Sequence, residues 1–391
     1  MIGKGPKPIV VRFPESGGRY RMAFGGVNGQ GGTSVCVDAS SGVAGEIRFA
    51  STGTGASVCP MSHVPHSFRR FSFLASLAVF AFAWHSARAA TGVEVEKQAD
   101  RVTIRVDGEL LTELRFTDTP KPYFYPLLGP GGVPMTRNYP MRTDAADEDK
   151  DHPHHRSLWF THGEVNGVDF WAEGPNKGRV IQEKILEARG GKESGVVRTA
   201  NRWVTAEGKA VLTDQTTFSV ERSPMGRVFD YSITLKASEG VDLTFGDTKE
   251  GTMAVRLAES MRLKSNKFYA GKTTGHIRQD TGVKDGETWG KRAEWTAYTG
   301  PVGDKVMTLV IFDHPSNPRH PTWWHVRDYG LFAANPFGIH DFEKKPAGTG
   351  NLVVKAGDSI TFRYRFLLLA GEPDTAELKK ANTAFAKSGK P

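Results

Sequence analysis

Asp151-His152-Pro153-His154-His155-Arg156-Ser157-Leu158-Trp159-Phe160-Thr161-His162 concentrates four of the chain's twelve histidines beside an aspartate, an arginine and a tryptophan. Imidazole titrates nearest neutrality and is a common metal ligand when neutral, so such a run serves proton transfer or metal ligation. Proline excludes a helix across His152-Pro153-His154. In an extended backbone His152 and His154 project to one side and His155 to the other. That pair, with His162 and a carboxylate, makes a three- or four-ligand set for a divalent metal such as zinc, or an iron site with open positions. The same side chains serve as acid and base in sugar chemistry. As packing groups they would instead cap loops and pair with carboxylates.

A second run, from Asp313 to Asp341, holds His314, Arg319, His320, Trp323, Trp324, His325, Arg327 and His340 among prolines. Proline-rich irregular backbone belongs in loops over a rigid scaffold, where sites tend to sit. Aromatic faces offer flat platforms, and Arg and Asp give directed hydrogen bonds to hydroxyls or carboxylates. The plainer alternative puts one of Trp323 and Trp324 in the core and the other at a rim. Asp247-Thr248-Lys249-Glu250-Gly251 adds a carboxylate beside glycine, and Trp289 to Trp295 mixes tryptophan with charge. The expected acids are His154, His155 and His325, with Glu250 or Asp151 as the base. Arg156, Arg319 and Arg327 would orient the substrate, and Trp159 and Trp324 would offer ring faces. The metal variant uses His152, His154 and His162. Neither G-x-S-x-G nor H-E-x-x-H occurs.

The elements that must position these groups read as strands. Val102 to Val106 alternates, Asp107-Gly108 is a two-residue hairpin signal, and Leu110 to Phe116 follows. Phe229 to Lys236 and Ile360 to Phe366 each place apolar residues on one face, and Thr216 to Val220 and Val306 to Phe312 are further strands. Short alternating runs punctuated by Gly, Pro and Asp predict an all-β fold, a large antiparallel β-sandwich. Asp374 to Lys387 predicts one short C-terminal helix, with Asp374 and Glu377 as its capping box. No Gly-rich phosphate loop joins a strand to a helix, and no internal repeat is visible.

Residues 61–89 read as a secretory signal peptide: a basic segment ending in Arg69 and Arg70, an apolar stretch from Phe71 to Trp84, and Ala87-Arg88-Ala89 before the cut. Residues 1–60 are rich in Gly, Ser and Thr and read as a disordered leader ahead of a true start at Met61. Residues 90–391 then form a single sandwich domain, expected in the periplasm or outside the cell. No later segment has the roughly 20 apolar residues of a membrane span. The formal charge of +8 shrinks to +2 once the nine Lys/Arg and three Asp/Glu of residues 1–89 are removed, which takes away the support for a nucleic-acid partner. Cys36 and Cys59 also lie there, so residues 90–391 contain no thiolate and no disulfide.

Four pieces resemble a bacterial family of unknown function named for the methane oxygenase PmoA. They are Asp151 to Phe160, His162-Gly163-Glu164-Val165-Asn166-Gly167-Val168-Asp169-Phe170-Trp171, Gly246 to Gly251, and Asn317-Pro318-Arg319-His320-Pro321-Thr322-Trp323-Trp324-His325. The resemblance covers roughly Thr91 to Ala370. The methane mono-oxygenase subunit resembles a bundle of membrane-spanning helices, which this sequence lacks after its signal segment. The resemblance implies instead a sandwich like the galactose mutarotase-like supersandwiches, in exported proteins of bacteria that degrade complex carbohydrates. It brings no catalytic residue with it. The expected function is therefore an exported protein acting on a carbohydrate or other small polar ligand by His/carboxylate acid-base chemistry of lyase, hydrolase or epimerase type. A non-catalytic carbohydrate-binding protein and a His-ligated metal enzyme, an oxygenase for example, are the alternatives.

Overall fold

The structure, a computed structural model, describes residues 19–23, 34–38 and 91–389. The chain divides into two units, Met1–Phe82 and Ala83–Pro391. In the first, β1 (Arg19–Ala23) and β2 (Ser34–Asp38) pair antiparallel. The remaining residues of the expected leader, and all of the expected signal segment, lie outside the described residues.

The second unit opens with β3 (Val93–Lys97), β4 (Arg101–Val106), β5 (Glu109–Arg115), β6 (Tyr123–Leu127) and β7 (Leu158–His162). Four long strands follow: β8 (Arg179–Arg189), β9 (Ser194–Val204), β10 (Ala210–Ser223) and β11 (Gly226–Ala237). Next come β12 (Leu243–Phe245), β13 (Gly251–Arg256), β14 (His276–Gln279), β15 (Trp295–Val302), β16 (Lys305–Asp313), β17 (Trp323–Val326) and β18 (Leu331–Asn335). The chain ends with α1 (Ile339–Glu343), β19 (Leu352–Val354), β20 (Ser359–Ala370) and α2 (Thr375–Ala386).

The strands form two eight-stranded sheets, ordered β14-β15-β16-β20-β11-β10-β9-β8 and β17-β18-β13-β7-β6-β5-β4-β3, and a small β12-β19 pair. The protein is all-β, as the alternation predicts. The Asp107-Gly108 hairpin forms with both residues at positive φ, 53° and 79°, the left-handed pair that a tight two-residue turn requires. The inner faces pack through Phe124 on Phe218, ring centroids 4.3 Å apart, and Phe160 on Phe362, 5.9 Å apart. The predicted helix is α2, capped by the reciprocal Asp374–Glu377 box. It lays Leu378 and Phe385 on the outer face of the first sheet, against Val228, Trp295, Phe312 and Leu367.

The other sheet positions the histidine run. Along β7, Leu158 and Phe160 enter the core between the sheets, while Trp159 belongs to a separate cluster on the sheet's outer face with Tyr123, Tyr125, Trp171, Ala254, Leu331 and Ala333. The strand period of two therefore sends Thr161 outward with Trp159, and His162 inward with Phe160. Connections from β6 to β7, β7 to β8 and β17 to β18 fold over the outer face and bury it. Strands β7, β13, β17 and β18 are consequently buried along their whole length.

Candidate functional site

A row of paired residues crosses the outer face. Trp159 on β7 lies opposite Ala254 on β13, Ala254 opposite Ala333 on β18, and Ala333 opposite His325 on β17. The two alanines leave room between the tryptophan and the histidine for side chains from the covering loops.

The first such group comes from His152 to His155. The expected extended H-x-H does not form. Pro153 heads a turn in which the His155 N–H donates to the His152 carbonyl at 3.0 Å. The turn brings His155 back over His152, stacked at 4.7 Å and 10°, with His154 edge-on to both. Tyr329, from the β17–β18 turn, stacks on the other face of His152 at 5.2 Å.

Behind the turn lies an ionic network. The guanidiniums of Arg137 and Arg256 are fully buried, and both bond to Asp151. Glu259, also buried, lies 3.4 Å from Arg256 and 2.6 Å from Arg262, and Arg262 also holds Asp149 at 2.6 Å. Three arginines thus face three carboxylates. Burial alone would raise the Asp151 pKa, but His152, Arg256 and Arg137 outweigh it and hold the carboxyl well below the usual range. Asp151, one of the two expected bases, is thus held as an anion by two buried arginines. Its Oδ2 lies 2.8 Å from His152 Nδ1, a hydrogen-bond length without full hydrogen-bond alignment. A carboxylate can only accept, so it favours the proton on Nδ1 and leaves the Nε2 lone pair free. The His152 side chain is 39% exposed.

The other histidines differ. Arg256 Nη1 lies 3.2 Å from His155 Nδ1, and because an arginine can only donate, the His155 proton sits on Nε2. Burial, with His154 and Arg256 nearby, pushes the His155 pKa far down. His155 is held in place, and its surroundings favour the neutral ring. Burial and the Lys121 charge lower His154 to about 4. Burial and Arg327 lower His325 to about 3. In both, burial favours the neutral imidazole. His162 is in the core, its Nε2 2.7 Å from the Gly246 carbonyl and its ring 4.5 Å from Phe337. It lies on the opposite face of the sheet from the turn, so His152, His154 and His162 do not assemble. Among the described residues no group of three or more His, Cys, Asp or Glu side chains converges as metal ligands. The residues present therefore do not fit the expected divalent metal.

The expected substrate-binding residues also separate. Arg156 makes a bidentate pair with Glu173 at 2.7 and 2.8 Å, which fastens the β7–β8 connection. Arg319 donates to the carbonyls of Pro336, Gly350 and Asn351, clamping a loop. Trp324 is in the core with its N–H on the Ala293 carbonyl at 3.0 Å, so it cannot stack on a ligand; Trp323 takes the outer face. Trp159 is on the site face but lies beneath His155 and Trp171. Arg327 remains, its guanidinium 5.5 Å from the Tyr329 ring and 5.7 Å from Trp289. Glu250 is 40% exposed and 3.3 Å from Lys249. Burial raises the Tyr329 pKa against the opposing pull of Arg256 and Arg327.

Sequence reasoning missed Arg137, Arg256, Glu259, Lys121 and Glu173. Lys121 is buried, bonded to the Trp171 carbonyl at 3.0 Å and to Glu173 at 3.1 Å, and burial lowers it to about 8. The available signal was a lone charge in an apolar run: Arg256 ends Thr252-Met253-Ala254-Val255. Several polar atoms of this face are buried without a hydrogen-bond partner: Trp159 Nε1, Trp171 Nε1, Trp289 Nε1, Thr161 Oγ1 and Thr252 Oγ1.

Fold and face together define an all-β sandwich with a polar, histidine-bearing site under loops on one sheet. Residues 101–383 match a family described as of unknown function (DUF6807), and the chain belongs to that family. Among solved structures it is similar to galactose 1-epimerase from Lactobacillus acidophilus NCFM, at 8% identity over 73% of this chain and 100% of that one, with a TM-score of 0.33. It is also similar to the GH36 α-galactosidase from Geobacillus stearothermophilus, at 10% identity over 71% of this chain, with a TM-score of 0.31; the chain spans 40% of that enzyme. A galactose mutarotase related enzyme from Lactobacillus acidophilus shares 11% identity over 71% of this chain and 97% of its own, with a TM-score of 0.21. No curated protein matches.

Proposed function

We propose that the protein is an exported enzyme acting on a carbohydrate by acid-base chemistry, with His152 as the proton-transfer group and Asp151 as its positioning residue. The observation that carries the reading is the Asp151–His152 pair. A carboxylate fixed by two buried arginines lies against Nδ1 of an imidazole whose ring is held between His155 and Tyr329. A general base needs a free lone pair, a fixed ring and access to ligand. His152 combines these features better than His154, His155 or His325. The partly exposed Glu250 carboxylate is the candidate partner group. The polar atoms left unpaired on this face suit a ligand with many hydroxyls.

Turnover of a panel of glycosides, free sugars and polysaccharides by the wild type and by His152→Asn tests this. The expected result is a measurable reaction reduced by about 10²- to 10⁴-fold in the variant, with an unchanged melting temperature. Full activity in the folded variant would contradict it. Export, which rests on residues 61–89, is tested by fractionating the native host.

One feature favours a binding-only protein: burial shifts His154, His155 and His325 toward the neutral form, which suits hydrogen bonding rather than proton release. In that case the panel yields affinity without turnover, and His152→Asn weakens binding.

A further inference from the structure

We infer that the carbohydrate bound at this face carries a carboxylate, as a uronic acid does, and that Arg327 reads it. The inference rests on the carbohydrate reading above and narrows it. The other guanidiniums near the histidine turn are occupied: Arg137 and Arg256 by Asp151, Arg262 by Glu259 and Asp149, Arg156 by Glu173. Among the described residues Arg327 has no side-chain hydrogen bond or ion pair; it lies over the rings of Trp289 and Tyr329.

The ring that flanks it is also short of a partner. Trp289 Nε1–H is buried and donates to nothing, and an indole nitrogen can only donate. His325, 3% exposed, has its ring 6.3 Å from Trp289. Lys249, the other cation in this region, is already matched by Glu250 at 3.3 Å and Asp341 at 3.9 Å. A planar cation set between aromatic faces, beside a buried N–H with no acceptor, is suited to a carboxylate: the group supplies two acceptor oxygens to the guanidinium fork. A neutral hydroxyl would leave the positive charge unmatched. The Tyr329 ring links the two regions, with the Arg327 guanidinium 5.5 Å and the His152 ring 5.2 Å from its centre.

The test is calorimetric titration of the full chain with glucuronate and galacturonate, as monomers and trimers, against glucose, galactose and the uronate methyl esters. Arg327→Gln and Arg327→Lys are measured alongside, with melting temperatures as the folding control. The inference expects uronides to bind about tenfold or more tighter than the neutral sugars and esters. Arg327→Gln should erase that preference and Arg327→Lys should keep part of it. Neutral and acidic sugars binding equally well, or a preference that survives Arg327→Gln, would overturn the inference and leave the carbohydrate reading standing. Binding by none of the sugars would overturn the reading on which it rests.

Discussion

His152 and His162 sit ten residues apart in one histidine-rich run and have opposite surroundings. His152 is partly exposed against a fixed anion, whereas His162 is enclosed by Phe245 and Phe337. Replacing each with Asn should separate site from core. His162→Asn should lose about 1–3 kcal/mol of stability through the broken bond to Gly246 and leave ligand affinity unchanged. His152→Asn should do the reverse; paired denaturation and titration curves check both. Glu259→Gln removes one of the carboxylates that offset three arginines. It should cost about 3–5 kcal/mol, read from urea unfolding, because buried positive charge is left unmatched. The residue types of the site were legible in the sequence: Asp151, His152, Arg327 and Glu250 were all singled out. Their roles were not, because protonation here is decided by Arg137 and Arg256. Arg256 lies 101 positions from the His155 that it fixes, and no local pattern records that meeting.

At the scale of elements, the strands that alternate were readable and those that carry the site were not. β4, β5, β11 and β20 show one apolar face and one more polar face. β7, β13, β17 and β18 read as Leu-Trp-Phe-Thr-His, Gly-Thr-Met-Ala-Val-Arg, Trp-Trp-His-Val and Leu-Phe-Ala-Ala-Asn. Covering loops bury their outer face as the opposing sheet buries their inner one, so the solvent contrast that makes a period of two visible is missing. The turn at His152 to His155 was misread for a related reason, since X-Pro suits both extended chain and turn. Ala254 and Ala333 pair across β13 and β18 on this outer face. Ala333→Leu should force Trp171, Tyr329 or His325 out of place, costing about 1–3 kcal/mol and weakening ligand binding. The same measurements on Ala384→Leu, an exposed position of α2, should show little change in binding.

Across the described residues, histidines are buried on both faces of one sheet, and they should make stability depend on pH. His154 and His162 are lowered to about 4, His325 to about 3, and His155 well below its ordinary value, in each case chiefly by burial. Unfolded histidine titrates at about 6.5, so below that pH the unfolded chain takes up protons that the native one refuses. Their contribution should be complete above about pH 6.5 and decline as pH falls toward 4. Asp151 acts in the same sense further down: its contribution is present above about pH 3.9 and is lost on stronger acidification. Melting temperatures from pH 8 to pH 4 check the sign. The central claim, that Asp151 holds His152 as a base facing ligand, is tested most directly by long-range ¹H–¹⁵N NMR of the imidazoles, with His152→Asn providing the assignment. The account predicts that His152 carries its proton on Nδ1 and His155 on Nε2, and that a bound sugar shifts His152 Nε2 while leaving His162 unmoved. A His152 protonated on Nε2, or one that stays unmoved while the sugar saturates the protein, would contradict it.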